Sequence, residues 1–278
     1  MRSVACSILL LALGTAGCVD DRNDPHAGPA CTTPSGCGTI SHPTTTGGEG
    51  GSGSGSGGAG VGGGSADVTG TVKLLADPAF LQTQVASYEG KATIVAEPAA
   101  MGQPVTAPYG EGEITFTLEG VPSGAAWMTV RDETDGATGV LSTMTLQTVP
   151  SATPIVLPVL ERLTLENVAA TLVGQPPIEE GKAHIAVALQ RDGAPLEGVS
   201  VDGGSVFGGI VAYDEGTPGD YSNDVLATGA AGTILILDAE PPVGGKLVLN
   251  VVDDLGNVYP LDLRAAADTM VIAGFELP

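Results

Sequence analysis

Cysteine is confined to the front of this chain: all four cysteines of its 278 residues precede residue 38. Whatever folds behind them has no disulfide, no thiolate nucleophile and no cysteine-based metal site. Cations are scarce as well, with 10 Lys and Arg against 32 Asp and Glu and a formal net charge of −22. That balance excludes a nucleic-acid binder, because phosphate affinity comes from Lys and Arg neutralising backbone charge; the acid excess reads as solubility through self-repulsion. Aromatic residues make up only 4% of the chain. Long apolar runs are missing too. The one run, Val4 to Leu13, would span about 15 Å as a helix, half of a hydrocarbon core of about 30 Å. Strong helical periodicity is absent after it, with weak exceptions near Pro78–Ser87 and Ala265–Asp268. In their place stand 42 glycines, 20 prolines and 42% hydrophobic residues, a composition of strands and turns.

The front end has three parts. Met1-Arg2 is positive, Val4–Leu13 apolar, and Thr15-Ala16-Gly17 small, which together read as a secretory signal over residues 1–17. Thr15-Ala16-Gly17-Cys18 resembles the bacterial lipobox, whose commonest form is Leu-Ala-Gly-Cys; Thr15 stands where that form has Leu. The resemblance implies that the signal is cut before Cys18 and that Cys18 is diacylated, a membrane anchor. Each buried acyl methylene contributes about 0.8 kcal/mol and one chain holds only marginally, so two or three chains are needed for a lasting anchor. Val19 follows the cysteine where an Asp would favour inner-membrane retention, so the resemblance points to the outer membrane of a Gram-negative cell envelope. The alternative is plain secretion, with Cys18 an incidental thiol.

Residues 18–65 read as a disordered tether. Gly47–Ser65 is nearly pure Gly and Ser, and such a segment buries too little surface to offset its ordering entropy. Over the 48 steps from Cys18 to Ala66 a flexible coil spans about 35–40 Å r.m.s. and about 160 Å when taut. Gly48 to Gly53 matches G-x-G-x-x-G, but no strand precedes it and no helix follows, so it is not a dinucleotide site. Cys31 and Cys37 could close a small disulfide loop within the tether, turned by Pro34-Ser35-Gly36.

Behind the tether the chain repeats itself. At a constant offset of 120, Gly112 meets Gly232, Ile114 meets Ile234, Phe116 meets Ile236, Pro122 meets Pro242, Gly124 meets Gly244, Gly136 meets Gly256 and Leu141 meets Leu261. Two copies of one domain are expected, at 66–161 and 162–278. Each is written in short alternating runs: Ile114, Phe116 and Leu118; Ala183, Ile185, Val187 and Leu189; Leu247, Leu249 and Val251. A period of two marks half-buried strands, and turn signals every 8–12 residues indicate antiparallel sandwiches. The fold class is therefore all-β, two tandem antiparallel β-sandwiches. GEITFTLEGVPSGAAWMTV, ending at Val130, resembles the core of carboxypeptidase-regulatory-like domains, a transthyretin-type sandwich; PLEGVSV (Pro195–Val201) resembles an early strand of such domains. The resemblance covers about a third of each copy. It implies an accessory, adhesive or sugar-contacting module and transfers no active site.

Catalytic motifs do not emerge. His26 and His42 fall in the tether, and His184 alternates away from Ile185 and Val187, a surface or inter-sheet residue. No G-x-S-x-G, HExxH, CxxC or P-loop occurs. Two acidic turns occupy matching places: Asp132, Glu133, Thr134, Asp135, Gly136 and Asp253, Asp254, Leu255, Gly256, Asn257. They read first as hairpin turns. The alternative is a Ca²⁺ site using Asp132, Asp135, Asp253, Asp254 and Asn257, since hard cations take carboxylate and carbonyl oxygens; no other cofactor is implied. Asp214, Glu215, Asp220, Asn223 and Asp224 form a third acidic patch. Candidate ligand contacts are Tyr213 and Tyr221, which flank that patch, and Trp127, which also reads as core packing. The function expected is a non-enzymatic, membrane-anchored envelope lipoprotein contacting an envelope polysaccharide or protein partner. The alternatives are a carbohydrate-binding module and a hydrolase using a carboxylate pair that spacing does not identify.

Overall fold

Alternating side chains fix where the strands run. The computed structural model describes residues 64–80, 86–99, 102–110, 112–134, 139–151, 153–203 and 207–278; the signal segment, Cys18, Cys31, Cys37 and Asp135 lie outside them. Seventeen strands and one helix occur in the described residues. The first eight strands are β1 (Ser65–Leu75), β2 (Ala86–Ser87), β3 (Ala92–Pro98), β4 (Val105–Tyr109), β5 (Phe116–Pro122), β6 (Gly124–Asp132), β7 (Val140–Val149) and β8 (Ile155–Glu161). The helix α1 (Arg162–Thr171) comes next. After it run β9 (Ala183–Arg191), β10 (Ala194–Pro195), β11 (Ser200–Val201), β12 (Ile210–Asp214), β13 (Tyr221–Ser222), β14 (Thr233–Ala239), β15 (Lys246–Val252), β16 (Val258–Arg264) and β17 (Thr269–Glu276).

Two sandwiches result. In the first, β5-β1-β8 faces β4-β3-β6-β7, with Val68, Val72, Leu118 and Leu157 packed against Ile94, Met128 and Val130. In the second, β12-β14-β9-β17 faces the three-stranded sheet β11-β15-β16; Ile185, Val187, Leu189, Ile234 and Val271 pack against Leu247, Leu249, Leu261 and Leu263. The pairing scheme repeats along with the sequence. β1 lies between antiparallel β5 and parallel β8, and β9 lies between antiparallel β14 and parallel β17. β6–β7 and β15–β16 are corresponding antiparallel hairpins, and a glycine with positive φ stands at or just before the first strand of each, Gly124 (119°) at the start of β6 and Gly244 (84°) two residues ahead of β15. The sheets are therefore mixed rather than purely antiparallel. A parallel partner needs a long crossover, and the strands of the facing sheet supply it. Central strands with parallel neighbours are buried on both faces, which is why β9 is buried without interruption from Ala183 to Leu189.

The halves are joined by strand pairing. β17 lies between β9 and β7 and is parallel to both, so one 14-stranded sheet runs through residues on either side of 161/162. β6 serves both sides: Ala126, Met128 and Val130 enter the first core, while Trp127 enters the second, where Met144 and Leu146 of β7 also pack. Arg264 on β16 reaches Glu97 on β3 at 3.0 Å. A third core fills the junction, with Leu165, Val168, Ala169 and Leu172 around α1 against Leu75, Phe80, Leu160, Leu235 and Met270.

Two local expectations are corrected. α1 falls at Arg162–Thr171, not near 78–87 or 265–268; its apolar positions 165, 168, 169 and 172 have the i, i+3, i+4, i+7 spacing of an amphipathic helix, but the run is too short to stand out from its flanks. Ile114 does not share a buried face with Phe116 and Leu118. It lies ahead of β5 and is 77% exposed, whereas its repeat partner Ile234 is fully buried.

Candidate functional site

The second acidic turn is built around one carboxylate. Asp253 follows β15 and is buried. Its Oδ1 accepts the backbone N–H groups of Leu255 (3.0 Å) and Asn257 (2.8 Å). Its Oδ2 accepts from the Asn257 side-chain amide (3.0 Å), Arg191 Nη2 (3.1 Å) and the Tyr259 hydroxyl (3.1 Å). The Asn257 amide above all, then the other donors, hold the carboxyl well below the usual carboxylate range, against the opposing effect of burial. Asp254 adds negative charge near Arg191. Five donors fill the lone pairs a cation would need, so Asp253 and Asn257 form a hairpin closure braced by Arg191 of β9. Asp132, the last residue of β6, does similar work. Its Oδ1 accepts the Thr134 hydroxyl at 2.9 Å, and the Tyr88 hydroxyl sits between that oxygen and the Lys91 carbonyl. Burial first, then Asp132, pushes the Tyr88 phenol up.

The candidate aromatic contacts are corrected. Trp127, Tyr213 and Tyr221 are 4%, 6% and 3% exposed and present no face to a ligand. Trp127 fills the second core. Tyr213 belongs to that core and accepts the Val201 N–H at its hydroxyl, 2.9 Å away. Tyr221 lies 6.0 Å from Phe80 in the junction core. Aromatic residues carry the largest apolar area per side chain, and a chain with so few of them spends these three on packing.

The third acidic patch divides. Glu215 and Asp224 are exposed, but Asp214 is buried. Asp214 Oδ1 accepts Gly216 N (2.9 Å) and Ala231 N (3.0 Å), and Oδ2 accepts Thr233 N (2.8 Å). The carboxylate thus ties the end of β12 to the start of β14. Gly229 is required here, since a Cβ would lie 2.4 Å from Gly216 N and 2.7 Å from Asp214 Oδ1. Nothing in the spacing of Asp214 to its three donors marks this role in the sequence.

His184 is buried at the junction, 1% exposed. Its Nδ1 accepts Asp238 N at 3.2 Å. Burial first, with Arg162 nearby, pushes it down to about 4, against an opposing pull from Asp268. Asp238 Oδ1 in turn accepts Glu179 N (3.0 Å), and Asp268 Oδ1 accepts Gly181 N (2.7 Å). Lys182 pairs with Glu240. The segment leading into β9 is thereby pinned from β14 and from the turn before β17. Beside it a cleft of about 320 Å³ is lined by Asp132, Leu141, Ser142, Arg162, Glu180 and Asp268 among others. Arg162 is committed to Glu166 (2.9 Å) and the Ile178 carbonyl (3.1 Å), and Ser142 Oγ faces Asp132 N at 3.3 Å. Asp132, Arg162, Ser142 and Asp268 thus bond to the protein's own groups. Among the described residues no group of three or more His, Cys, Asp and Glu is arranged to hold a metal ion, and no helix is long and apolar enough to cross a membrane.

No family model matches the chain, and no curated protein does. Solved structures give remote likenesses. A streptococcal ancillary pilin is 11% identical, with a TM-score of 0.22 over 76% of this chain and 68% of the pilin. The Bacillus anthracis TIE protein is 10% identical, with a TM-score of 0.22 over 75% and 33%. A Ca²⁺-stabilised adhesin with which an Antarctic bacterium binds ice is 12% identical, with a TM-score of 0.19 over 74% and 49%. The chain thus spans a third of the TIE protein's length and about half of the adhesin's.

Proposed function

We propose that this chain is a lipid-anchored envelope protein that holds a braced pair of β-sandwiches away from the membrane for contact with an envelope polysaccharide or protein, with no catalysis of its own. One observation carries the reading. The Gly/Ser run that follows the lipobox-like Thr15-Ala16-Gly17-Cys18 ends at Ser65, and Ser65 is the first residue of β1, already paired with Pro122. The folded body therefore begins where the tether composition stops, and it hangs by a central strand. The commitment of Asp253, Asp214, Asp132 and Arg162 to structural partners supports a non-catalytic body, and with Trp127, Tyr213 and Tyr221 buried, a polysaccharide contact would be made without those three rings.

Intact-mass analysis of the mature protein tests the anchor. The expected species begins at Cys18 and carries the mass of a diacylglyceryl group, and Cys18→Ser moves the protein from the membrane to the soluble fraction. A mature terminus elsewhere, without lipid, overturns the proposal.

A further inference from the structure

We infer that β1 is a lengthwise clamp that lets the tether transmit tension into the folded body. The inference rests on the anchored reading above and adds what the anchor demands of the fold. β1 has eleven residues and is not an edge. On one side Ser65, Ala66, Val68, Thr69 and Gly70 pair with β5, Ser65 opposite Pro122 and Gly70 opposite Phe116. On the other side the six residues Gly70 to Leu75 pair in parallel with Ile155 to Leu160. The two ladders overlap at Gly70, so nearly the whole strand is bonded along one flank or the other. Its inward residues Val68 and Val72 are locked in the first core.

The pairing also sets the direction of load. β8 runs with β1 and ends at Glu161, which pairs with Val140 at the start of β7; β17 starts beside Ser142 and runs parallel to β7. The chain enters β1 at one end of the sheet. Glu161, Arg162, Val140, Glu180 and Asp268 gather at the opposite end, the last four around a single cleft. A contact made at that far end, resisted by a lipid at Cys18, pulls β1 along its own axis. In that geometry the ladder bonds on both flanks bear the force together and must fail together, whereas a strand pulled sideways from one end loses its bonds one at a time.

Pulling single molecules in two directions tests this, using the chain from residue 18 with Cys18, Cys31 and Cys37 replaced by Ser and a handle at its N-terminus. The second handle is placed either at Glu180→Cys, at the far end, or at Ser123→Cys, beside Gly64, whose carbonyl accepts Ser123 N at 2.8 Å. The first loads β1 lengthwise; the second peels it from β5. Both sites are exposed. Forced unfolding reports the barrier along the loaded direction, and the expected lengthwise rupture force is about twice the peeling force or more. Equal forces, or a weaker lengthwise direction, overturn the clamp. The measurement is made without lipid, so its failure leaves the anchor standing, and failure of the anchor leaves the force ratio unchanged.

Discussion

Trp127 and Met128 are consecutive residues of β6 whose side chains are buried in different cores, Trp127 in the second sandwich and Met128 in the first. One strand is thus a shared wall, and the energetics of the two halves are coupled through it.

Trp127→Ala is expected to cost about 3–5 kcal/mol, the usual range for removing a buried aromatic ring. Because β6 and β17 knit the halves, the wild-type chain should melt in one transition. Tryptophan fluorescence, which reports the only Trp in the chain, and far-UV circular dichroism should give coincident urea curves. Two separated transitions would show that the halves are energetically independent.

Stability should fall on mild acidification. Burial holds His184 down to about 4 in the folded chain, against its ordinary 6.5, so between those pH values the unfolded chain binds more protons and unfolding is favoured as pH drops. The loss starts near pH 6.5, is complete near pH 4 and reaches about 3 kcal/mol at one pKa unit per 1.36 kcal/mol. Asp253 is also held below its ordinary value, but as an acid: its contribution is present above 3.8 and is lost as pH falls below it. Urea melts at stepped pH check this: His184→Asn should flatten the slope between 6.5 and 4 and leave the loss below 3.8 intact.

Asp253→Ala removes the acceptor shared by Arg191, Asn257, Leu255 and Tyr259. A fall in Tm of about 5 °C is expected for a domain pair of this size. Millimolar Ca²⁺ should leave the wild-type Tm unchanged, since the oxygens are occupied by donors. A calcium-dependent rise that Asp253→Ala abolishes would restore the metal reading of this turn.

Asp214→Ala leaves the N–H groups of Gly216, Ala231 and buried Thr233 without their acceptor, at an expected cost of about 1–3 kcal/mol. Gly229→Ala strikes the same network by crowding Gly216 N and Asp214 Oδ1. The two substitutions together should cost clearly less than their sum, because the second finds the network already broken. Additive losses in denaturant melts would place the two residues in separate networks.

Much of this architecture is written in periodicity. Leu247, Leu249 and Val251 alternate with exposed or half-exposed neighbours and are buried as expected. Each half holds an antiparallel hairpin, β6–β7 or β15–β16, and a central strand, β1 or β9, with a parallel neighbour. Two kinds of information were illegible. Alternation says which residues share a face, not what covers the other face; His184 lies opposite Ile185 as expected, yet that face is buried too, because α1 packs on that side of the sheet in the core that holds Ala186. Parity likewise reveals that Trp127 and Met128 diverge, but not that a second core awaits the outward one. The bracing roles of Asp214 and Asp253 depend on donors up to 62 residues away, as in Arg191 with Asp253, and no local spacing encodes that.

The position of β17 has a consequence for the order of events as the chain folds. Synthesis delivers the chain from its front, so the free flank of β7 and the hydrophobic side of β6 emerge long before Thr269–Glu276 can cover them. Contacts of such separation form late, and uncovered strand flanks invite wrong partners in the interval. A newly made molecule therefore spends its most vulnerable moments waiting for β17, and any chaperone that shields it would find its target along β7.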